Sequence, residues 1–327
     1  MNLIKVSPSS NYKLDRLLDD NDILLIQDVF DQSVLNLLLQ VNKPRYIVND
    51  HFSWSEFDNV FTVPRFLSMI VANYRGKVPL ASTKIITDHP FNFTINKRQS
   101  NRFLLLKLLQ WFKLDAKDFY WMTESDNRFD ISPFQIELNS ISDRVLNSSD
   151  FRSLLCEHHR TSPRYHKDAT NLSISPQDLC DFWGKFLNPF MSTSAVCMIT
   201  ESVNFQKASV FTEKTLFSVL SMNFPLWIGG YAQAREWQRL GFDIFDDVVD
   251  HRYQYCDTLL ERCYKAINDN LPLLTDIDFV RDIRYKNHDR LCANLNLLLS
   301  GHVEQQVSNI IDQLPNDLNF ELKKYWT

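Results

Sequence analysis

Apolar residues fall in short blocks along this chain, and the spacing within each block predicts an element. Residues 22–30 (DILLIQDVF) form an apolar run rich in β-branched and aliphatic side chains, the pattern of a strand. Residues 33–41 (SVLNLLLQV) have helical spacing, and residues 45–50 (RYIVND) read as a second strand that ends in polar side chains. Residues 91–114 predict a strand, a polar loop and a strongly apolar helix, with residues 118–124 (DFYWMTE) as a further strand. From 125 to 189 the chain is rich in Asn, Ser, Asp and Pro, which predicts loops and short helices. The pattern sharpens at residues 192–202 (STSAVCMITES), a strand of small and β-branched residues. It is followed by a helix at 213–222, a strand at 225–228 and a helix at 233–240 closed by Gly241 as a left-handed stop. A short strand is predicted at 242–245, then helices at 255–268, 290–299 and 303–314. Two stretches of β–α–β order predict an α/β protein built on parallel sheets, with a small unit at 1–88, a larger one at 89–300 and a helix with a tail at 301–327.

Composition narrows the classes. With 327 residues and 44% apolar side chains, the chain is long enough to bury one large core or two ordinary ones. A formal net charge of −5 argues against a surface that coats nucleic acid, so any polyanion is met locally. No run of eighteen apolar residues occurs and the first residues lack the order of a secretion signal, which predicts a soluble, cytoplasmic protein without a membrane span. The six cysteines are scattered without a CxxC pair, so no metal is expected.

The chemistry that stands out is at 209–230, SVFTEKTLFSVLSMNFPLWIGG. Thr212 has the character of an N-cap, which puts Glu213 and Lys214 in the first helical turn beside free backbone N–H groups. A helix start after a strand of an open α/β sheet lies at the carboxyl edge, where the helix dipole favours an anion. Lys214 suits a phosphate there, and Glu213 suits sugar hydroxyls. Gly229 and Gly230 let the following loop come close without side chains in the way. The plain alternative is a well-capped helix with a solvated lysine. The histidine-rich loop at 157–167 (EHHRTSPRYHK) fits no metal spacing and reads as a basic loop, while the acid-x-acid group at 123–127 (TESDN) is a weak signal.

Thr-Glu-Lys opening a helix, an apolar strand ending in Gly, and LGF-x2-FD at Leu240, Gly241, Phe242, Phe245 and Asp246 together resemble the nucleotide-sugar half of GT-B glycosyltransferases of the α-1,3-fucosyltransferase type. They also resemble related uncharacterised phage and virus glycosyltransferase-like proteins. A second block, FNFTINKRQSNRFLLLKLL, resembles the Asn-Lys/Arg-Arg-x-x-x-Arg segment of that group through Asn96, Lys97, Arg98 and Arg102. Together the two blocks span about a third of the chain. The resemblance implies a GT-B-like fold of two Rossmann-like lobes, with 1–88 on the acceptor side and 89–300 binding a UDP- or GDP-sugar. It assigns ribose to Glu213 and phosphate to Lys214, with Arg98 or Arg102 as a second clamp and no metal required. The residues themselves agree in one respect: residues 89–114 carry five Lys or Arg and no acid. Trp227 and Ile228 are bulkier than the pattern, which predicts a narrower pocket. A transferase needs a base near the acceptor hydroxyl, for which Asp50 and His51 at a strand end, or Glu201, are the candidates. A glycan, lipid-linked sugar or small molecule is expected as acceptor ahead of duplex DNA. The alternatives are a viral enzyme that glycosylates hydroxylated DNA bases and a non-catalytic nucleotide-binding or scaffold protein of the same fold.

Overall fold

Four apolar strands lie side by side in parallel at the start of the chain: β1 (Leu3–Val6), β2 (Ile23–Ile26), β3 (Tyr46–Asn49) and, after the two-residue β4 (Phe52–Ser53), β5 (Val60–Thr62). Their order is β1-β2-β3-β5, in a register that sets Leu25 beside Val48 and Val48 beside Phe61. The computed structural model describes residues 3–6, 22–26, 46–49, 52–53, 60–75, 86–93, 100–114, 145–156, 188–201 and 209–326. The helix expected at 33–41 and the strand expected at 118–124 lie outside these residues.

Helix α1 (Arg65–Tyr74) leads to the first strand of a second parallel sheet, β6 (His89–Phe93), and then to α2 (Ser100–Trp111). After α3 (Ser149–Cys156) and α4 (Asn188–Met191) comes the central strand, β7 (Ser194–Ile199). All six residues of β7 are buried, as an unbroken apolar run predicts for a parallel strand covered on both faces. Next come β8 (Ser209–Val210), α5 (Glu213–Leu220) and β9 (Phe224–Trp227), giving the order β6-β7-β9. Pro225 sits in β9 at the edge of this order, where a missing N–H costs no ladder bond. The little strands β4 and β8 pair antiparallel, Phe52 with Val210, so the segment that follows β3 is bonded to the segment that leads into α5.

The remaining chain is helical: α6 (Gln233–Arg239), a 3-10 turn (Arg252–Tyr255), α7 (Leu259–Asn268), α8 (Leu271–Thr275), α9 (Ile277–Lys286), α10 (His288–Leu299), α11 (His302–Gln313) and α12 (Asn316–Trp326). Where a single helix and a tail were expected after residue 301, there are two helices on either side of Pro315. They are no appendage: Val307, Leu314, Leu318 and Leu322 form one buried cluster with Ile23, Leu25 and Val48 of the first sheet and with Val63 just after β5. The second sheet has its own larger cluster, to which α2 contributes Leu104, Leu105, Leu108 and Leu109.

The strand expected at 242–245 is not formed. Asp243 donates its N–H to the Asn294 side chain (2.9 Å) and accepts from the same amide (2.7 Å), so one side chain takes the place of a neighbouring strand. Phe245, with φ at +57°, turns the chain away. Gly241 is left-handed as expected (φ +91°).

At the amino ends of the second sheet's strands, Arg284 is 1% exposed. It donates to the carbonyls of Ile86 (3.1 Å), Ser192 (3.0 Å), Ser221 (3.1 Å) and Met222 (3.2 Å) and to the Thr87 hydroxyl (3.3 Å). Burial pushes this guanidinium down to about 10. The carbonyl dipoles that surround it, two of them from the end of α5, are what offset its charge.

Candidate functional site at the start of helix α5

Helix α5 begins where the pattern predicts, and Thr212 caps it in extended conformation, its side chain accepting from Lys214 N (3.4 Å). The cap is itself held from β7. Glu201, just past the end of that strand, accepts from Thr212 N (3.1 Å), from the Thr212 hydroxyl and from Thr215 Oγ1 (2.7 Å). Thr215 Oγ1 in turn accepts from Trp227 Nε1 (3.0 Å), and the Trp227 carbonyl accepts from Tyr253 OH (2.7 Å). A continuous chain of hydrogen bonds therefore ties the carboxyl ends of β7 and β9 to the first turn of α5.

Charge converges on the same place. Lys214 Nζ donates to Glu213 Oε1 (2.6 Å) and to Thr212 Oγ1 (3.3 Å). Arg102, from the first turn of α2, donates to the Thr200 carbonyl (3.5 Å) and feels the charges of both Glu201 and Glu213. Burial lowers the affinity of Arg102 for its proton and the two glutamates oppose that effect. Glu201 is raised above the usual glutamate range by burial, against the pull of Lys214 and of the two threonine hydroxyls. For Glu213 burial also pushes upward, but the Lys214 charge and hydrogen bond outweigh it and the carboxyl is lowered.

The expected site residues are thus brought together in part. Glu201, Thr212, Glu213, Lys214 and Arg102 form one cluster of two acids, two bases and a cap. Lys214 is not the solvated lysine of the plain alternative: it is 7% exposed, because the Thr212 hydroxyl and the Glu213 carboxylate draw its ammonium back over the first turn. The lone pairs of Glu201 are engaged by Thr212 and Thr215, so here it positions the cap. Asn96, Lys97, Arg98, Asp50 and His51 lie outside the described residues.

Gly229 and Gly230 each have a local cause. Gly229 is left-handed (φ +80°) and its carbonyl accepts from Arg262 Nε (3.0 Å). A Cβ on Gly230 would come within 1.5 Å of Gln233 Oε1, so the space in front of that glycine holds a side chain of the chain itself. Arg262, fully buried on α7, also donates to the carbonyls of Cys256 (2.8 Å) and Asp257 (3.3 Å) and fixes the loop after β9. Trp227 and Ile228 are buried, Trp227 packing against Phe211 and His251.

Sequence reasoning missed Thr215, Tyr253 and Arg262. The signal for Thr215 was present, since Thr-x-x-Thr from the cap places a second hydroxyl above the first on one helix face. Nothing local marks Arg262, which acts 33 residues from its partner Gly229. No helix among the described residues is long and apolar enough to cross a membrane. No family model, no curated protein and no solved structure matches the chain.

Proposed function

We propose that the start of α5 is the diphosphate end of a nucleotide-sugar site, in a glycosyltransferase of GT-B type that needs no metal. The observation that carries this reading is the convergence of Lys214, Arg102 and Glu213 on a helix N-terminus at the carboxyl edge of a parallel sheet. Two bases at the positive end of a helix suit a diphosphate leaving group, and a quarter-exposed Glu213 suits the ribose hydroxyls. In this reading the ligand exchanges partners with the cluster. Lys214 turns from Glu213 to a phosphate oxygen, and Glu213 turns to the ribose.

Two parallel sheets, each with its own buried cluster, support the two-lobed architecture. The β4–β8 pairing supports an acceptor-side base at Asp50 or His51. Those residues stand between β3 and β4, and β4 is bonded to the strand that leads into the α5 cap. The acceptor proposed is a glycan, a lipid-linked sugar or a small molecule.

One observation favours a second reading, a non-catalytic protein of this fold. Lys214 is already paired and buried, so the cluster is complete without a ligand. Thermal-shift measurement with UDP-, GDP-, CMP- and dTDP-sugars separates the two. A bound donor at a hundred times its dissociation constant stabilises the fold by about 2.7 kcal/mol. No shift with any of the four supports the second reading.

A further inference from the structure

Three donor atoms of soft-metal type meet at the carboxyl end of α5, opposite the Glu201 cluster. Cys292 Sγ lies 3.8 Å from Met222 Sδ and 3.7 Å from His288 Nε2. His288 and Cys292 stand one turn apart on α10, so their side chains share a face of that helix. Met222 comes just after the last turn of α5, where its N–H donates to the Val219 carbonyl (3.0 Å) and the Asn223 N–H to the Ser218 carbonyl (2.9 Å).

Met222 is left-handed (φ +52°). A helix that ends in this conformation usually does so on glycine, which adopts it without steric cost. Methionine at this position puts a thioether against Cys292, which glycine cannot do. The thioether side is closed to water, Met222 being 5% exposed, whereas the His288 side chain is 31% exposed and leaves a way in.

The imidazole is turned to the same point. Asp289 Oδ1 lies 3.5 Å from His288 Nδ1, which favours the ring hydrogen there and leaves the lone pair on Nε2. Of the two ring nitrogens, Nε2 is the nearer to the cysteine sulfur, 3.7 Å against 3.9 Å.

Spacing and charge select the ligand. Around a metal with bonds of about 2.3 Å to sulfur and about 2.0 Å to nitrogen, neighbouring donor atoms stand roughly 3.5–4 Å apart. Both contacts of Cys292 fall in that range. No group of three His, Cys, Asp or Glu side chains among the described residues could hold a metal ion, and this set differs in that its third donor is a thioether. Thiolate and thioether together select a soft ion such as Cu(I) over a hard one. Arg284 limits the charge, since its Nε donates to the Met222 carbonyl (3.2 Å). A monovalent ion on a thiolate adds no net charge beside that buried guanidinium, whereas a divalent ion would add one.

We propose that Cys292, Met222 and His288 form a three-coordinate site for a soft monovalent cation, Cu(I) or its analogue Ag(I). On binding, the thiol proton leaves to solvent as the metal–sulfur bond forms, and no electron is transferred. The proposal goes beyond the nucleotide reading and does not rest on it, because its test contains no nucleotide and alters no residue at the start of α5.

The test is anaerobic titration of the full, reduced chain with Cu(I) in competition with a chromophoric Cu(I) chelator, repeated with Ag(I). X-ray absorption on the copper-loaded protein identifies the donors. Wild type should hold one equivalent on two sulfurs and one nitrogen, and Zn(II) should not displace Ag(I). Cys292→Ser should abolish this binding. Met222→Leu, which conserves volume, and His288→Gln should each weaken it about tenfold or more while melting stays unchanged. Wild-type binding no tighter than that of Cys292→Ser overturns the proposal. So does binding that Met222→Leu and His288→Gln both leave intact, which would be a thiol acting alone, and so does displacement of Ag(I) by Zn(II).

Discussion

Glu201 accepts both the backbone N–H and the hydroxyl of Thr212, so the residue that caps α5 is itself capped by a carboxylate from the end of β7. The consequence is that the first turn of α5, including Lys214 and Glu213, is fixed to the sheet by a side chain eleven residues earlier.

The two glutamates of this cluster titrate in opposite senses. Burial raises Glu201, so its contribution to stability is fullest at low pH and declines as pH rises from the usual glutamate value to its raised one. Glu213 is lowered, its upward push from burial being outweighed by Lys214. Its contribution is therefore present above the usual value and is lost as pH falls through the lowered one. As pH rises, the stability deficit of Glu213→Gln should grow up to the usual glutamate value and stay level above it, whereas that of Glu201→Gln should be level below that value and shrink above it. Denaturant melts on both sides of that value measure both, and parallel trends would contradict the assignment.

Gly230 and Gln233 should be coupled. Gly230→Ala forces the Gln233 side chain to move and should cost about 1–3 kcal/mol. Adding Gln233→Ala should recover part of that loss, a coupling that a double-mutant cycle reads directly. Strict additivity would mean that Gly230 is required for another reason.

Arg284→Met should be among the most damaging substitutions outside the site, at about 3 kcal/mol or more, because it leaves buried carbonyls at three strand starts without a donor. Arg284→Lys should recover little, since one ammonium cannot reach acceptors that a planar guanidinium spans. A melting temperature for the lysine variant equal to wild type would contradict this.

The elements that sequence makes legible are those whose cause is local. The unbroken run of β7, the Thr212 cap and the left-handed Gly241 all follow from a few neighbouring residues. What pattern does not reveal is caused at a distance. The residues at 242–245 alternate like a strand, yet Asn294 supplies the partner and no ladder forms. Arg284 lies in a stretch for which the pattern predicts no element, yet it is buried among carbonyls from 62 to 198 residues away. Lys214 beside Glu213 looks like an exposed pair, and its burial depends on where β7 delivers Glu201. The apolar positions of α12 have helical spacing at Leu318 and Leu322, but only the fold shows that they cover the first sheet.

The central claim is that this cluster binds a diphosphate by giving up its internal pairing. The most direct measurement is calorimetric titration of wild type, Lys214→Met and Glu213→Gln with UDP, GDP and inorganic pyrophosphate, with folding checked by circular dichroism. The account predicts that one nucleoside diphosphate binds and that Lys214→Met weakens it about ten- to hundredfold, the loss of a charge-assisted contact of roughly 1.5 to 3 kcal/mol. It also predicts that Glu213→Gln weakens the nucleotide more than pyrophosphate. Unchanged nucleotide affinity in a folded Lys214→Met protein, or no nucleotide binding by wild type, would contradict it and leave the start of α5 as a capped helix held by Glu201.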